Sequence, residues 1–444
     1  MPSGISPPLL PDDVMTVSYE DRRRLESLAR PELVTLQLER LNALLARLIA
    51  DNAFYARKFG AIRLPLASLD HLAELPTTTK EELVSGAPTN SAPANLTWPL
   101  ERYVRYHQTS GTHGRPMPVY DTAEDWQWWI DAWQFVLDAA QTTAADRALL
   151  AFSFGPFIGF WSAHDALVAR GALMIPGGGM NTRARLDLIE RTSPTILLCT
   201  PTYALHLADA AAECGFDLAG TTVTRIIVAG EPGGSLPSVR DRIERAWQAQ
   251  VIDHAGASEV GPWGYADAQR RGVHILESEF IPEFIGVESG QPAGDGELSH
   301  LLLTSLGRTG LPVVRYQTGD LVRPRWSEAG ANRFVLLEGG VLGRADQMLI
   351  VRGVNIFPSA VEQILHSFPE VAEYRMTARK RGAMDELVVE VEDRLSAPAR
   401  IADEMYVRLG LKIDVKLAPP ASLPRFEGKG RRFIDQRNQE EETA

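Results

Sequence analysis

The sequence predicts an α/β chain, with a large N-terminal region built on a parallel sheet and a small α+β unit after it. Three observations carry this reading. The 444 residues amount to two or three domains at ~150 residues each. Between residues 147 and 255, short apolar runs alternate with helical segments, as in parallel strands buried on both faces and joined by crossover helices. From Gly343 onward the chain holds enough alternating strand and helix pattern for a separate small core.

In chain order, residues 1–30 are Pro-rich and then charged, and read as a mobile or loosely docked arm. From Pro31, leucines at 33, 36, 41, 44, 45 and 48 repeat at helical spacing, and Pro31 sits where a first turn tolerates proline. That predicts an amphipathic packing helix without chemistry. Strands are expected at Ala148–Phe152, Ala172–Ile175, Thr195–Cys199 and Arg225–Ala229, each bounded by Gly or Pro. Ligands on such sheets bind at the carboxyl ends of the strands. Residues 299–338 read as strand-rich, through HLLLTS, PVVRYQ and FVLLE. In the final unit, strands are expected at Met348–Arg352, Val371–Thr377, Leu387–Glu392 and Lys412–Leu417, with helices at Pro358–Phe368 and Ala397–Leu409. These readings divide the chain at 1–342 and 343–444.

Composition excludes several classes. With 45% apolar and 23% charged residues the chain is too apolar for disorder. A net charge of −12 lacks the basic excess of a nucleic-acid binder. Cys199 and Cys214, without CxxC spacing, give neither a disulfide framework nor a thiolate zinc site. No apolar run reaches the ~20 residues of a membrane span, and the N-terminus has no signal-peptide pattern. The expectation is a cytoplasmic protein that binds neither membrane nor nucleic acid, with its oligomeric state, a homodimer included, left open.

Six segments can carry chemistry. Thr109-Ser110-Gly111-Thr112-His113-Gly114-Arg115 offers hydroxyls and backbone N–H groups that can hold phosphates, without the spacing of a Walker loop. Ala229-Gly230-Glu231-Pro232 directly follows a strand, where glycine lets a flat ligand approach the backbone. Asp253-His254-Ala255-Gly256-Ala257-Ser258-Glu259 ends in a carboxylate suited to Mg²⁺. Asp320, just after a strand, has the place of a carboxylate that binds ribose hydroxyls. Gly343-Arg344-Ala345-Asp346 leads into the last unit, and Lys429 stands between glycines near its end. Taken singly, each is also what an ordinary turn or solvated tail provides.

Their order and spacing together resemble the adenylate-forming superfamily of acyl-CoA synthetases, peptide-synthetase adenylation domains and luciferases, within it the phenylacetate–CoA ligase branch. The resemblance runs from the helix near Leu33 and LPTTTKEEL (75–83) to EGKGRRFID (427–435). It implies a large N-terminal domain and a small mobile C-terminal one. It also implies ATP binding by Thr109, Ser110, Gly111, Thr112, Gly114 and Arg115, by Gly230, Glu231 and Pro232, by Asp253, His254, Ala255, Gly256 and Ser258, and by Asp320 and Arg344. Glu259 is implied as the Mg²⁺ ligand, Lys429 as the catalytic lysine, Asp346 as the hinge and Gly353 as part of the CoA tunnel. Phe152, Phe154 and Phe157, with Ala229 and Gly256, match the acyl pocket, whose phenylalanines favour a flat aromatic acid.

The implied function is ATP-dependent activation of that acid as an acyl-adenylate, followed by transfer to CoA with release of AMP and pyrophosphate. Three positions depart from the family pattern: His113-Gly114-Arg115 replaces Thr-Gly-Lys, Ala255 replaces an aromatic residue, and Gln347 replaces an acid. Arginine keeps the charge as a planar fork instead of a point. The alternatives are a carrier-protein or amine acceptor, nitrite activation for diazotisation of an aryl amine, and a catalytically dead nucleotide binder.

Overall fold

The computed structural model describes residues 17–60, 62–85, 92–109, 116–152, 155–327, 329–347, 349–351, 354–356, 358–381, 384–425 and 432–437. Its centre is a nine-stranded sheet in the order Pro324–Arg325, Leu336–Glu338, Gly272–Ile275, Gly261–Ala266, Gln250–Ala257, Arg225–Val228, Ile196–Cys199, Arg147–Leu150 and Leu173–Pro176. From Gln250–Ala257 to Leu173–Pro176 all pairings are parallel, and on the other side of Gln250–Ala257 all are antiparallel. Helices Ile158–Arg170, Thr182–Thr192, Pro201–Glu213 and Pro237–Trp247 make the crossovers.

The strand pleat explains the unbroken apolar runs. Leu149, Leu197, Ile226 and Val251 are buried in one core, while Leu150, Leu198, Ile227 and Ile252 are buried in another on the opposite face. That second core is filled by helix Ala123–Ala139, whose Trp126, Trp128, Trp129 and Trp133 are all buried. Thr122 caps this helix through the Asp125 N–H, and the Asp125 carboxylate returns a bond to the Thr122 N–H.

A second, antiparallel sheet holds Phe280–Gly286, Ser299–Ser305, Tyr316–Val322 and Gly343–Arg344. The residues of PVVRYQ before Tyr316 are buried but unladdered, so their apolarity marks packing and not a strand. The Pro31 helix runs Arg30–Asp51 and buries Leu33, Leu41, Leu44, Leu45 and Leu48, each contributing about 2 kcal/mol of burial.

The predicted arm needs correction over its described part. Tyr19–Glu26 is a docked helix: Arg22 pairs with Asp138 at 2.6 Å, and Glu26 accepts a 2.6 Å bond from the Tyr265 hydroxyl. The last core is made entirely of residues from Leu349 onward. It joins helices Pro358–His366 and Pro398–Leu409 to a sheet ordered Asp414–Leu417, Met384–Asp393, Val371–Arg381, Phe433–Asp435. Among the described residues, no helix is long and apolar enough to cross a membrane.

Candidate active site

The parallel strands end level with one another, Leu150, Leu198, Ile227 and Ile252 standing in register. The loops that leave this edge carry most of the candidate residues. After Arg147–Leu150, Phe152 packs partly buried on the tryptophan core, and its carbonyl accepts a 3.4 Å bond from Arg185. Arg185 is itself buried, with its guanidinium 4.7 Å from the Tyr203 ring. Phe157 is 43% exposed, as a side chain at the mouth of a site would be. The preceding Pro156 carbonyl accepts from the Gln108 N–H at 2.8 Å. Phe154 lies outside the described residues.

That last bond ties the segment before Phe157 to the hairpin of Arg105–Gln108 and Pro118–Asp121. Thr109 closes the hairpin's neck: its N–H donates to the Met117 carbonyl and its hydroxyl accepts from the Met117 N–H, both at 3.0 Å. Ser110, Gly111, Thr112, His113, Gly114 and Arg115 lie outside the described residues.

After Arg225–Val228, the loop Ala229–Pro232 turns against helix Pro201–Glu213. Glu231 accepts from the Thr202 N–H at 2.8 Å and the Thr202 hydroxyl at 2.5 Å, which sets its carboxylate at the positive end of that helix. Gly230 takes φ +92°, open mainly to glycine.

After Gln250 the chain runs to Glu259. Burial pushes Asp253 up to about 6, although the Ser235 hydroxyl donates to it at 2.5 Å. Burial pushes His254 down to about 4, so the ring is neutral near pH 7. Its Nδ1 donates to the Gly264 carbonyl at 2.7 Å, and its ring lies 4.4 Å from that of Trp133. Ala255 pairs with Gly264, and the register shifts before Ala257. Pro262 and Trp263 together stand opposite Gly256, so the extra residue of this bulge belongs to the partner strand Gly261–Ala266, a device that bends a strand beside a site. The Ser258 carbonyl accepts from Arg308 at 2.8 Å, and Arg308 forms a fully buried 2.7 Å pair with Asp121 at the base of the hairpin.

Glu259 is 9% exposed. Its Oε1 accepts from the Tyr316 hydroxyl at 2.9 Å and from Lys80 at 3.4 Å. Both partners use one oxygen, which leaves Oε2 for a cation. Among the described residues no three His, Cys, Asp or Glu side chains gather to hold a metal. A lone carboxylate suits magnesium, which prefers oxygen ligands and completes its shell with water and phosphate. The donor set fits that ion.

Tyr316 begins the strand that carries Asp320, so the Glu259–Tyr316 bond joins the two sheets. Asp320 stands opposite Arg344 in the ladder, and their side chains meet at 3.3 Å. Arg344 also donates to the Thr318 carbonyl at 2.6 Å. Gly319, at φ +77°, makes room for it, since a Cβ there would lie 2.6 Å from the Arg344 guanidinium. Asp346 lies in the short helix Ala345–Gln347. Gly353 and Lys429 fall outside the described residues.

Sequence reasoning missed Lys80, Tyr316, Thr202 and Ser235. Each acts on a candidate residue through the fold, and Lys80 meets Glu259 across a separation of 179 residues. The signal for Lys80 was its place in LPTTTKEEL, to which no role was given.

Two family models match: the AMP-binding enzyme over residues 67–278 and the AMP-binding enzyme C-terminal domain over 353–437. The phenylacetate-coenzyme A ligase of Escherichia coli (strain K12) is 32% identical over 433 residues, 93% of this chain and 97% of its own length. That of Thermus thermophilus is 30% identical, covering 93% and 98%. A 2-hydroxyisobutyryl-CoA ligase crystallised in the postadenylation state superposes with a TM-score of 0.87 at 25% identity, covering 99% of this chain and 97% of that one. The same ligase in the thioesterification state, covering 99% of both chains, gives 0.71. One neighbour sequence with two scores means that the parts of the present chain are arranged as in the postadenylation state. Matched nearly end to end by relatives of this identity, and folded as their solved neighbours fold, the chain belongs to the AMP-binding enzymes, in the family of the phenylacetate–coenzyme A ligases.

Proposed function

We propose that this enzyme activates a small aromatic carboxylic acid with ATP, forming an acyl-adenylate and pyrophosphate, and then passes the acyl group to the thiol of CoA. A carboxylate is a poor acyl donor because oxide would have to leave, whereas AMP leaves readily. The observation that carries the reading is the convergence of Glu259, Lys80 and Tyr316 at the junction of two sheets, with the Asp320–Arg344 pair on the strand that Tyr316 begins.

In the first step the acid's carboxylate attacks the α-phosphorus and pyrophosphate departs in line, with negative charge growing on the phosphate oxygens. Asp320 accepts the ribose hydroxyls while Arg344 fixes its orientation. Ala229–Pro232 and Asp253–Gly256 border the adenine, where Ala255 leaves one face of the base less covered than an aromatic residue would. The turn from Ser110 to Arg115 holds phosphate oxygens. Glu259 would hold magnesium, whose charge would offset the negative charge that develops on the phosphate oxygens. Lys80, beside Glu259, and Lys429 add to it as fixed cations. Neutral His254, donating through Nδ1 to the backbone, contributes no charge against the bound acid. Phe152, Phe154 and Phe157 pack on the aromatic ring.

In the second step the unit from residue 343 onward turns about Asp346, withdraws Lys429 and brings Gly353 to the thiol's path. The C-terminal family match spans both residues, which supports this assignment. No feature of the described residues favours a carrier protein, an amine or nitrite as acceptor. The use of ATP and CoA supports a cytoplasmic location.

The test is a pyrophosphate-release screen of aryl acids with and without CoA, its products identified by mass spectrometry. Release with an aryl acid, and thioester formation only when CoA is added, is the expected result. Acyl-adenylate that CoA never captures would remove the second step, and no release with any acid would remove the first.

A further inference from the structure

Helices Pro201–Glu213 and Pro237–Trp247 of the large region face helix Pro358–His366 and strand Val371–Arg381 of the last unit across a seam. At the nucleotide end of this seam lies a cavity of about 30 Å³, lined by Thr202, Glu231 and Pro232 on one side and by Glu362, His366 and Arg432 on the other. It has room for water and none for a nucleotide or an acyl group. Two carboxylates therefore face each other across the boundary between the units, in surroundings that screen charge weakly.

Glu231 accepts two bonds from Thr202 at a helix N-terminus. Glu362 is held differently. It meets the Tyr374 hydroxyl, and that hydroxyl also lies 3.3 Å from His366 Nε2. The phenol has one proton to give. Burial, with Arg242 and Arg432 nearby, holds His366 down at about 3, so its ring is neutral near pH 7. Arg432 does not cancel the repulsion alone, because Glu373 holds its guanidinium at 2.6 and 3.0 Å.

We propose that Glu362 is a positioning residue for adenylation: protonated, it lets the C-terminal unit rest against the nucleotide loop at Glu231, and ionised, it drives that unit away. The inference rests on the ligase reading for the meaning of the docked arrangement, which matches the postadenylation state of the solved neighbour. Burial, with the Glu231 charge added, raises Glu362 from 4.5 to about 7, against the opposing pull of Arg432 and Tyr374. A group whose acidity is weakened only when docked favours docking at low pH and loses that preference as pH rises through the docked value. With those two values the docked-to-released ratio falls about tenfold between pH 6 and pH 8.

Energy transfer between the units tests this without any substrate. Cys214 is exposed and Cys199 is buried, so Val407→Cys, at a position 75% exposed, gives a second labelling site on the C-terminal unit. Transfer should change between pH 6 and pH 8 in this protein and stay at its low-pH value when Glu362→Gln is added. A pH-independent signal in the parent, or a Glu362→Gln variant that titrates like it, overturns the proposal; thermal melts of both verify folding. In parallel, the ratio of acyl-adenylate formation to thioester formation from supplied acyl-adenylate should fall about tenfold over the same range in the parent and less than twofold in the variant. Failure of the ligase reading would appear in the pyrophosphate screen and leave the transfer result standing.

Discussion

Glu259 receives Tyr316 and Lys80 on one carboxylate oxygen, so its second oxygen is the part of the site that a cation can use. Glu259→Gln keeps the shape and a hydrogen-bond acceptor but loses the charge. Acyl-adenylate formation at limiting Mg²⁺ should fall about a hundredfold, with partial recovery at high Mg²⁺; unchanged rates would remove the metal role. Tyr316→Phe removes a neighbour that orients the carboxylate, an effect of about tenfold. Burial and the Glu259 charge keep that phenol protonated well above its ordinary range, so it donates at every pH where the enzyme is folded.

Between elements, Arg308 connects the hairpin to the Glu259 loop. Burial raises Asp121 to about 6 while the Arg308 charge opposes the rise, and the same guanidinium holds the Ser258 carbonyl. Arg308→Met would leave a buried carboxylate without its cation and should cost about 3–5 kcal/mol in urea unfolding. Adding Asp121→Asn should restore at least half of that, and a double variant no more stable than the single one would show that the pair is not the cause. The elements also show what a sequence can disclose. Strands Arg147–Leu150, Ile196–Cys199 and Arg225–Val228 were legible because both their faces are buried, which makes each run apolar throughout. The edge strand Leu173–Pro176 was legible from its apolar run although Leu173 is exposed. The Tyr19–Glu26 helix was not, because it buries Arg22 and Glu26, and their partners Asp138 and Tyr265 lie 116 and 239 residues away. Strand Phe433–Asp435 was missed for a related reason, since three residues carry no period and are fixed only by pairing with Val371–Arg381. The motif residues Glu231, Glu259 and Asp320 could be read from order and spacing. Their partners Thr202, Tyr316 and Lys80 could not, because only the fold makes them neighbours.

For the whole molecule, the two half-reactions separate by arrangement. On the proposed reading, Lys429 serves the adenylating arrangement alone. Lys429→Ala should therefore slow acyl-adenylate formation by about two to three orders of magnitude, while supplied acyl-adenylate and CoA give thioester within about twofold of the normal rate, as single-turnover assays would measure. Equal losses in both steps would contradict alternation, and no loss in either would take Lys429 out of the site.

Strand Gln250–Ala257, parallel to one neighbour and antiparallel to the other, has a consequence for how the chain finds its fold. Its antiparallel partners Gly261–Ala266 and Gly272–Ile275 follow almost at once, so their contacts close short loops. Each parallel partner is separated from the next by a full crossover helix, and closing that distance costs more chain entropy and more time. During refolding, pulse-labelled hydrogen exchange should protect the amides of the 250–275 meander before those of Arg147–Leu150 and Leu173–Pro176. Protection in the reverse order would mean that the crossover layer nucleates the domain. In the expected order, the edge that carries Phe152 becomes rigid only after the Asp253–Glu259 run is in place.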